Sequence, residues 1–426
     1  MSQRHNHQRR VSRSLLVSFA FATLACSGDG EGVSAGQPAD GGAPSTVAGS
    51  VCDEVASRSF VRPFPIDEGE YPFRSCAFET GYGRMHFFDE GPRDAKETLL
   101  LVHGNPTWSF LYRNIAKAMI ARGHRVIAVD HLGMGMSDAP ELIDFDYRPR
   151  SHSSVLEKFV VAMNLKNVTL VVQDWGGPIG LGVATRRPEL FDRLLIMNTW
   201  AWSVDAQNPG DNHGLANWGS LAKSLYAQDP LFGCNTMLTV TADAIGKEVD
   251  PSGGTDFANV RDAYLRPAMD LTTRKPLTEK RCAAMSTMAT SILGDNAYQA
   301  EVEGGLAALQ GKPYTLLSGL KDQLFGALGC NPRAAVACPG AALCVCDPEY
   351  DATNNACAAS PLGDPRVCKL DGAVIPQSLN QWTARLGAES LVARIAEPRA
   401  GHMVQEFASG QVVIDMLDQL LAVRPK

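Results

Sequence analysis

Asp174 ends a β-branched, apolar run, Asn167-Val168-Thr169-Leu170-Val171-Val172-Gln173, and is followed by Trp175, Gly176 and Gly177. The run reads as a buried parallel strand, and Pro178-Ile179-Gly180-Leu181 as the helix after it. A carboxylate at such a corner is held clear of the sheet, at the carboxyl end where open α/β sheets bind ligands. The corner has the outline of a nucleophile elbow with Asp in the place of Ser. That exchange changes the chemistry. Ser attacks carbonyls and needs a base, whereas Asp is ionised near neutral pH and can displace a leaving group from carbon directly. An Asp that merely caps the next helix fits these residues equally well.

Two more polar residues follow expected strands. Pro313-Tyr314-Thr315-Leu316-Leu317-Ser318-Gly319 runs into Leu320-Lys321-Asp322, and Ser390-Leu391-Val392-Ala393-Arg394-Ile395 precedes Ala400-Gly401-His402-Met403. Asp322 is the candidate acid and His402 the candidate base, so Asp174, Asp322 and His402 stand at one sheet edge in the order nucleophile, acid, base. Singly, each has a plain reading: Asp322 as a turn former, His402 as a partly buried polar group. Three such corners together favour catalysis, in the chain order expected of α/β-hydrolases. Asn198-Thr199, after the strand that precedes Asp322 in the sheet, cannot ionise, which leaves Asp322 as the acid. Trp175 offers an indole N–H and Asn105 amide donors, a neutral pair suited to gripping and releasing a soft anion. Their backbone N–H groups stand where an oxyanion hole is expected. Core packing for Trp175 and a turn for Asn105 are the structural alternatives.

The elements that must position these residues alternate. Glu97–Val102, Arg125–Asp130, Asn167–Gln173 and Arg193–Thr199 read as strands, with Arg84–Asp89 as an earlier one. Helical spacing over 109–122, ended by Gly123, and over Val155–Leu165 falls between them, and Val412–Leu421 closes the chain. Alternation of this kind predicts an α/β fold: a doubly wound, mostly parallel sheet with helices on both faces. From Trp200 to about Asn296 short helical runs replace the strands, the pattern of an inserted helical cap. The expected organisation is a leader over 1–26, a flexible tether over 27–70, core over 71–199, cap over 200–298 and core again over 299–426.

The leader has Arg4, Arg9, Arg10 and Arg13 before an apolar stretch from Leu15 to Ala25, then Cys26. It resembles a lipoprotein signal in which Cys26 would be lipidated and attach the protein to a membrane; an ordinary cleaved secretory signal is the alternative. Either predicts export, to the cell envelope or periplasm or to the medium. Of 11 Cys, six (Cys330, Cys338, Cys344, Cys346, Cys357, Cys368) crowd an insertion over 329–370. Disulfides in an oxidising compartment would staple so long a loop. Zinc is disfavoured because that segment has no His and no paired CxxC spacing. Cys52 with Cys76 and Cys234 with Cys282 are further guessed pairs. The net charge of −7 and the absence of a basic stripe argue against nucleic acid.

Four stretches together resemble haloalkane dehalogenases: His103-Gly-Asn-Pro-Thr-Trp108, Asp130-His-Leu-Gly-Met-Gly-Met-Ser-Asp138, Val171-Val-Gln-Asp-Trp-Gly-Gly177 and Gly401-His-Met-Val-Gln-Glu406. The similarity covers roughly Tyr71 to Asp322 and Gln377 onward, and is weakest in the cap. It implies an α/β-hydrolase fold, an Asp174-His402-Asp322 triad, and Asn105 with Trp175 as halide-stabilising residues. It implies a halogenated hydrocarbon substrate, a halide ion product, and neither metal nor organic cofactor. Epoxide hydrolases share the Asp-Trp-Gly-Gly piece and use cap tyrosines, for which Tyr226, Tyr264 and Tyr298 are candidates. A surface-anchored binding protein with a retained hydrolase core is the non-enzymatic alternative.

Overall fold

The computed structural model describes residues 60–207, 212–250, 252–273, 275–276, 278–319, 322, 377–397 and 400–425. The strands are β1 (Cys76–Glu79), β2 (Arg84–Glu90), β3 (Thr98–Val102), β4 (Arg125–Val129), β5 (Val168–Gln173) and β6 (Phe191–Met197), then β7 (Met269–Asp270), β8 (Lys275–Pro276), β9 (Tyr314–Gly319) and β10 (Leu391–Glu397). Eight of them form one sheet in the order β1-β2-β4-β3-β5-β6-β9-β10. β1 and β2 are antiparallel to their neighbours, and every pair from β4 to β10 is parallel.

The central strands explain their own position. β3 (TLLLV) and β5 (VTLVVQ) are buried at every residue, as strands covered on both faces by helices must be. Flanking them are the helices Arg113–Ala121, Pro149–Ala162, Gly176–Arg186 and Gln411–Ala422. The first begins after a 3-10 turn at Ser109–Tyr112 and ends before Gly123 at φ +86°, as the glycine there predicts. The helix expected over Val155–Leu165 starts earlier, at Pro149, because a proline at the first helical position needs no N–H partner. β1 escaped the sequence reading: four residues without marked alternation form an edge strand only because β2 pairs with them.

The chain between β6 and β9 carries the expected helices: His213–Gln228, Pro230–Val249, Thr255–Leu265, Glu279–Gly294 and Asn296–Gly305. Asp229 caps the second, its Oδ1 accepting the N–H groups of Leu231 and Phe232 at 3.0 and 3.2 Å. A two-residue hairpin, β7–β8, is the one strand pair in this stretch among the described residues. Four hydrogen bonds seat the helices of this stretch on the core. Arg281 Nη1 and Nη2 donate to the carbonyls of Gly135 and Ser137 at 3.0 and 2.9 Å, Trp108 Nε1 donates to Ala263 O at 3.2 Å, and the Tyr264 hydroxyl donates to Glu406 Oε1 at 2.5 Å. Glu406 is held from the core side by Arg113, at 2.5 and 2.9 Å. A buried carboxylate paired in this way is costly to break, because removal of either partner leaves an uncompensated charge.

One expectation needs correcting. Residues 60–70 do not belong to a flexible tether: Phe60, Phe64 and Ile66 pack against the core, and Phe64 meets Trp108 edge-on at 5.6 Å. Arg62 ties the same stretch to Phe73 O at 2.6 Å. Three apolar side chains within seven residues are enough to dock an otherwise irregular segment. The leader, Cys26, residues 27–59 and the insertion over 329–370 lie outside the described residues. No described helix is long and apolar enough to cross a membrane.

Cys234 and Cys282 form a disulfide, as guessed, across 48 residues; it joins the helices Pro230–Val249 and Glu279–Gly294. Cys76 is also disulfide-bonded, and its guessed partner Cys52 lies outside the described residues. Closing a loop of that length commonly stabilises by about 2–4 kcal/mol. The double substitution Cys234→Ala/Cys282→Ala is therefore expected to lower the thermal midpoint by several degrees in calorimetry, and an unchanged midpoint would refute this contribution.

Candidate active site

Asp174 sits directly after β5 with φ +51°, a left-handed conformation that a non-glycine residue adopts only where its surroundings impose it. Those surroundings are visible. Asp174 N–H donates to Asn198 O at 3.1 Å, and Asp174 O accepts from Gly177 N and from the Thr199 hydroxyl at 2.9 and 2.5 Å. The turn is closed by absent side chains. A Cβ on Gly104 would lie 2.1 Å from Asp174 Oδ1, and one on Gly177 would lie 1.9 Å from Thr199 Oγ1. Only glycine lets the loops after β3 and β6 close on the elbow.

The Asp174 carboxylate is 5% exposed. Its Oδ1 accepts the backbone N–H of Asn105 at 2.8 Å, and its Oδ2 lies 3.3 Å from His402 Nε2. No Lys or Arg pairs with it among the described residues. His402 Nδ1 lies 2.7 Å from Asp322 Oδ2, and Asp322 is buried. The structure thus brings Asp174, His402 and Asp322 together in one line of contacts from three separate strand ends.

Burial alone would lower the proton affinity of His402, but the charges of Asp322 and Asp174 outweigh it and push its pKa up to about 10. With both carboxylates ionised, the ring holds its proton near neutral pH, and the cation is shared unequally, nearer to Asp322 than to Asp174. Neutralising either carboxylate would weaken that hold.

Asn198 and Thr199 were set aside in the sequence because they cannot ionise, yet both belong to the site. Asn198, at φ +40°, donates from Nδ2 to Asp322 Oδ2, while its Oδ1 accepts the N–H of Gly319 at 3.2 Å. One amide thereby fixes the end of β9 and the carboxylate beyond it. Gln173, quoted within the elbow motif but given no role there, contacts His402. Their placement at strand ends is the signal that could have found them.

The two candidate halide donors differ. Asn105 Nδ2 donates to Met285 O on the Glu279–Gly294 helix at 3.1 Å, which leaves one of its two hydrogens for a guest. The Trp175 indole, 2% exposed, packs edge-on against Trp200 at 4.7 Å, and its N–H has no hydrogen-bond partner among the described residues. Of the two backbone donors expected to form an oxyanion hole, Asn105 N–H already holds a carboxylate oxygen. No corresponding bond from the Trp175 N–H to that carboxylate is present.

Two of the three cap tyrosines are engaged elsewhere. Tyr264 donates to Glu406, and Tyr298 donates to Pro178 O at 2.8 Å. Tyr226 is buried and has no hydrogen bond among the described residues. No group of three or more His, Cys, Asp or Glu suited to hold a metal ion occurs among the described residues.

Comparisons with known proteins agree with this architecture. A segment of 142 residues is 42% identical to haloalkane dehalogenase 2 of Mycobacterium bovis, spanning 33% of this chain and 48% of that protein. Another, of 139 residues, is 40% identical to cis-3-alkyl-4-alkyloxetan-2-one decarboxylase of Shewanella oneidensis, spanning 32% of this chain and 42% of that protein. The matched region is thus about half the length of these curated relatives, or less. The solved structure of the haloalkane dehalogenase DpaA from Paraglaciecola agarilytica NO2 superposes with a TM-score of 0.55 at 19% identity, over 85% of this chain and 98% of that one. Residues 97–351 match the family model described as the alpha/beta hydrolase fold, and with the sheet order and the elbow after β5 the chain belongs to that family.

Proposed function

We propose that this protein is a haloalkane dehalogenase, which hydrolyses a carbon–halogen bond through an alkyl ester on Asp174. The observation that carries the reading is a carboxylate at the nucleophile position, free of any Lys or Arg among the described residues and 3.3 Å from a histidine. With Oδ1 held by the Asn105 N–H, Oδ2 is the freer oxygen. It attacks the halogen-bearing carbon, an oxygen–carbon bond forms as the carbon–halogen bond breaks, and the halide leaves with the bonding pair. The Trp175 indole N–H and the remaining Asn105 amide hydrogen stabilise that charge; losing one such donor commonly costs about 10²–10³ in rate.

Ester formation removes the charge of Asp174, one of the two carboxylates that raise the proton affinity of His402, so the ring gives up its proton more readily. The base appears at the step that needs it. Nε2 takes a proton from water, the water oxygen adds to the ester carbonyl, and the oxyanion forms where Asn105 N–H donates. Collapse restores the Asp174 carboxylate and releases the alcohol; the sum is alkyl halide plus water to alcohol, halide and a proton.

Epoxide hydrolysis is less well supported, since Tyr264 and Tyr298 spend their hydroxyls on Glu406 and Pro178. The similarity to an oxetan-2-one decarboxylase supports a second reading, in which Asp174 opens a strained cyclic ester that then loses carbon dioxide. Halide release from bromoalkanes, measured beside carbon dioxide release from an oxetan-2-one, separates the two. The Cys234–Cys282 disulfide supports export, because such bonds persist in oxidising compartments. Lipid attachment through Cys26 rests on the leader alone.

Asp174→Asn should abolish halide release. His402→Phe should stall after one turnover with the alkyl group retained, seen as added mass on the intact protein; an unmodified mass after exposure to substrate would count against a covalent route. A separate expectation concerns pH. His402 has a raised pKa in the folded protein, so its protonation stabilises the fold fully below its unfolded value of about 6.5. That stabilisation disappears as pH climbs through about 10. The difference in thermal midpoint between the native protein and His402→Gln should therefore shrink across that interval, and a constant difference would contradict it.

A further inference from the structure

We propose that Gln173 is a positioning residue for His402, its side-chain N–H holding the imidazole Nε2 as a hydrogen-bond acceptor for the hydrolytic step. The inference rests on the roles given above to Asp174 and His402. Gln173 closes β5, one residue before Asp174, and is fully buried. Its Nε2 lies 3.1 Å from His402 Nε2, 3.3 Å from the backbone oxygen of His402 and 3.6 Å from Met403 Sδ.

These neighbours fix the direction of the amide. A carbonyl oxygen and a thioether sulfur can only accept, so the NH₂ end must face them. Turning the amide over would set two oxygens 3.3 Å apart. The other end, Gln173 Oε1, is buried and has no hydrogen-bond partner among the described residues. A donor therefore faces Nε2, which also lies 3.3 Å from Asp174 Oδ2; once Asp174 is esterified and the ring has given up a proton, Nε2 presents its lone pair to that donor. The ring proton then sits on Nδ1 and is donated to Asp322 Oδ2 at 2.7 Å. In that neutral ring both contacts specify one tautomer, the one in which Nε2 can accept a proton from water.

The surrounding charges pull the other way. Asp322 and Asp174 both favour the imidazolium. Glu248, on the Pro230–Val249 helix, packs over the adjacent Gly401, its Oε1 only 2.2 Å from where a Cβ there would lie. Once Asp174 is esterified, one of these charges is gone, and a hydrogen bond that exists only to the neutral ring shifts the balance toward the base. Loss of that N–H should raise the proton affinity of His402, and a carboxylate in its place should raise it further.

The test is titration of ring-labelled histidine by NMR in the full-length protein, with the His402 signal assigned through His402→Gln. Asp174→Asn serves as the background, since it is neutral at the nucleophile as the ester is. Gln173→Met should bind the His402 proton about tenfold more tightly, one unit in the midpoint, as the loss of one buried hydrogen bond implies. Gln173→Glu, which keeps the shape of the side chain, should shift it further in the same direction. Unchanged midpoints in both variants, or a downward shift in Gln173→Glu, would overturn the proposal. Should Gln173→Met fail to fold, the Glu variant decides alone. In the Asp174 protein, the acid limb of ester hydrolysis should move upward by the same amount in Gln173→Met, which a merely structural role would not produce. Halide release by the native protein is measured alongside: its absence would sink the dehalogenase reading and leave the titration result standing.

Discussion

The structure depends on one imidazole held between two carboxylates. His402 reaches Asp322 at 2.7 Å and Asp174 at 3.3 Å, and each of the three comes from the end of a different strand of the same sheet. Two buried negative charges cannot stay close together without a cation between them. That need explains the surrounding architecture: Asn198 steadying Asp322, Asn105 N–H steadying Asp174, and glycines at 104 and 177 admitting the loops that carry them. The same arrangement makes the site responsive, because a reaction that neutralises one carboxylate also changes the proton affinity of the ring.

The helices between β6 and β9 are part of this arrangement. Met285 O accepts from the Asn105 amide, and Met285 is one helical turn from Cys282, whose disulfide ties its helix to the neighbouring one. Arg281 on the same turn is fixed to the core loop by two carbonyls. A single turn of helix thus carries the cap's covalent brace, its anchor to the core and its contact with a candidate halide donor. Motion of that turn would be felt directly at Asn105.

Much of the sheet was legible because its strands are continuous apolar runs ended by Gly, Asp or Asn, a pattern that only doubly covered parallel strands require. The elbow was legible because Asp followed by Trp-Gly-Gly has few other uses at a strand end. What sequence could not show was the service of neutral residues. Asn198 was read as an acid position left empty, whereas it bonds the acid; Gln173 was read as the last residue of a strand, whereas it faces the base. Neutral amides act through direction, and direction exists only once the strands are side by side. The segment from Phe60 to Glu70 was misplaced for a related reason: its three apolar residues have no period, and their docking site on Trp108 and its neighbours is remote in sequence.

In the proposed two-step reaction, oxygen from water enters Asp174 before it enters the product. A single turnover in ¹⁸O-labelled water, with enzyme in excess over bromoalkane, separates this route from direct attack of water on the substrate. The label is expected in the peptide containing Asp174, with unlabelled oxygen in the alcohol. Label in the alcohol, with none on that peptide, would mean that water attacks the substrate itself and that no ester forms on Asp174.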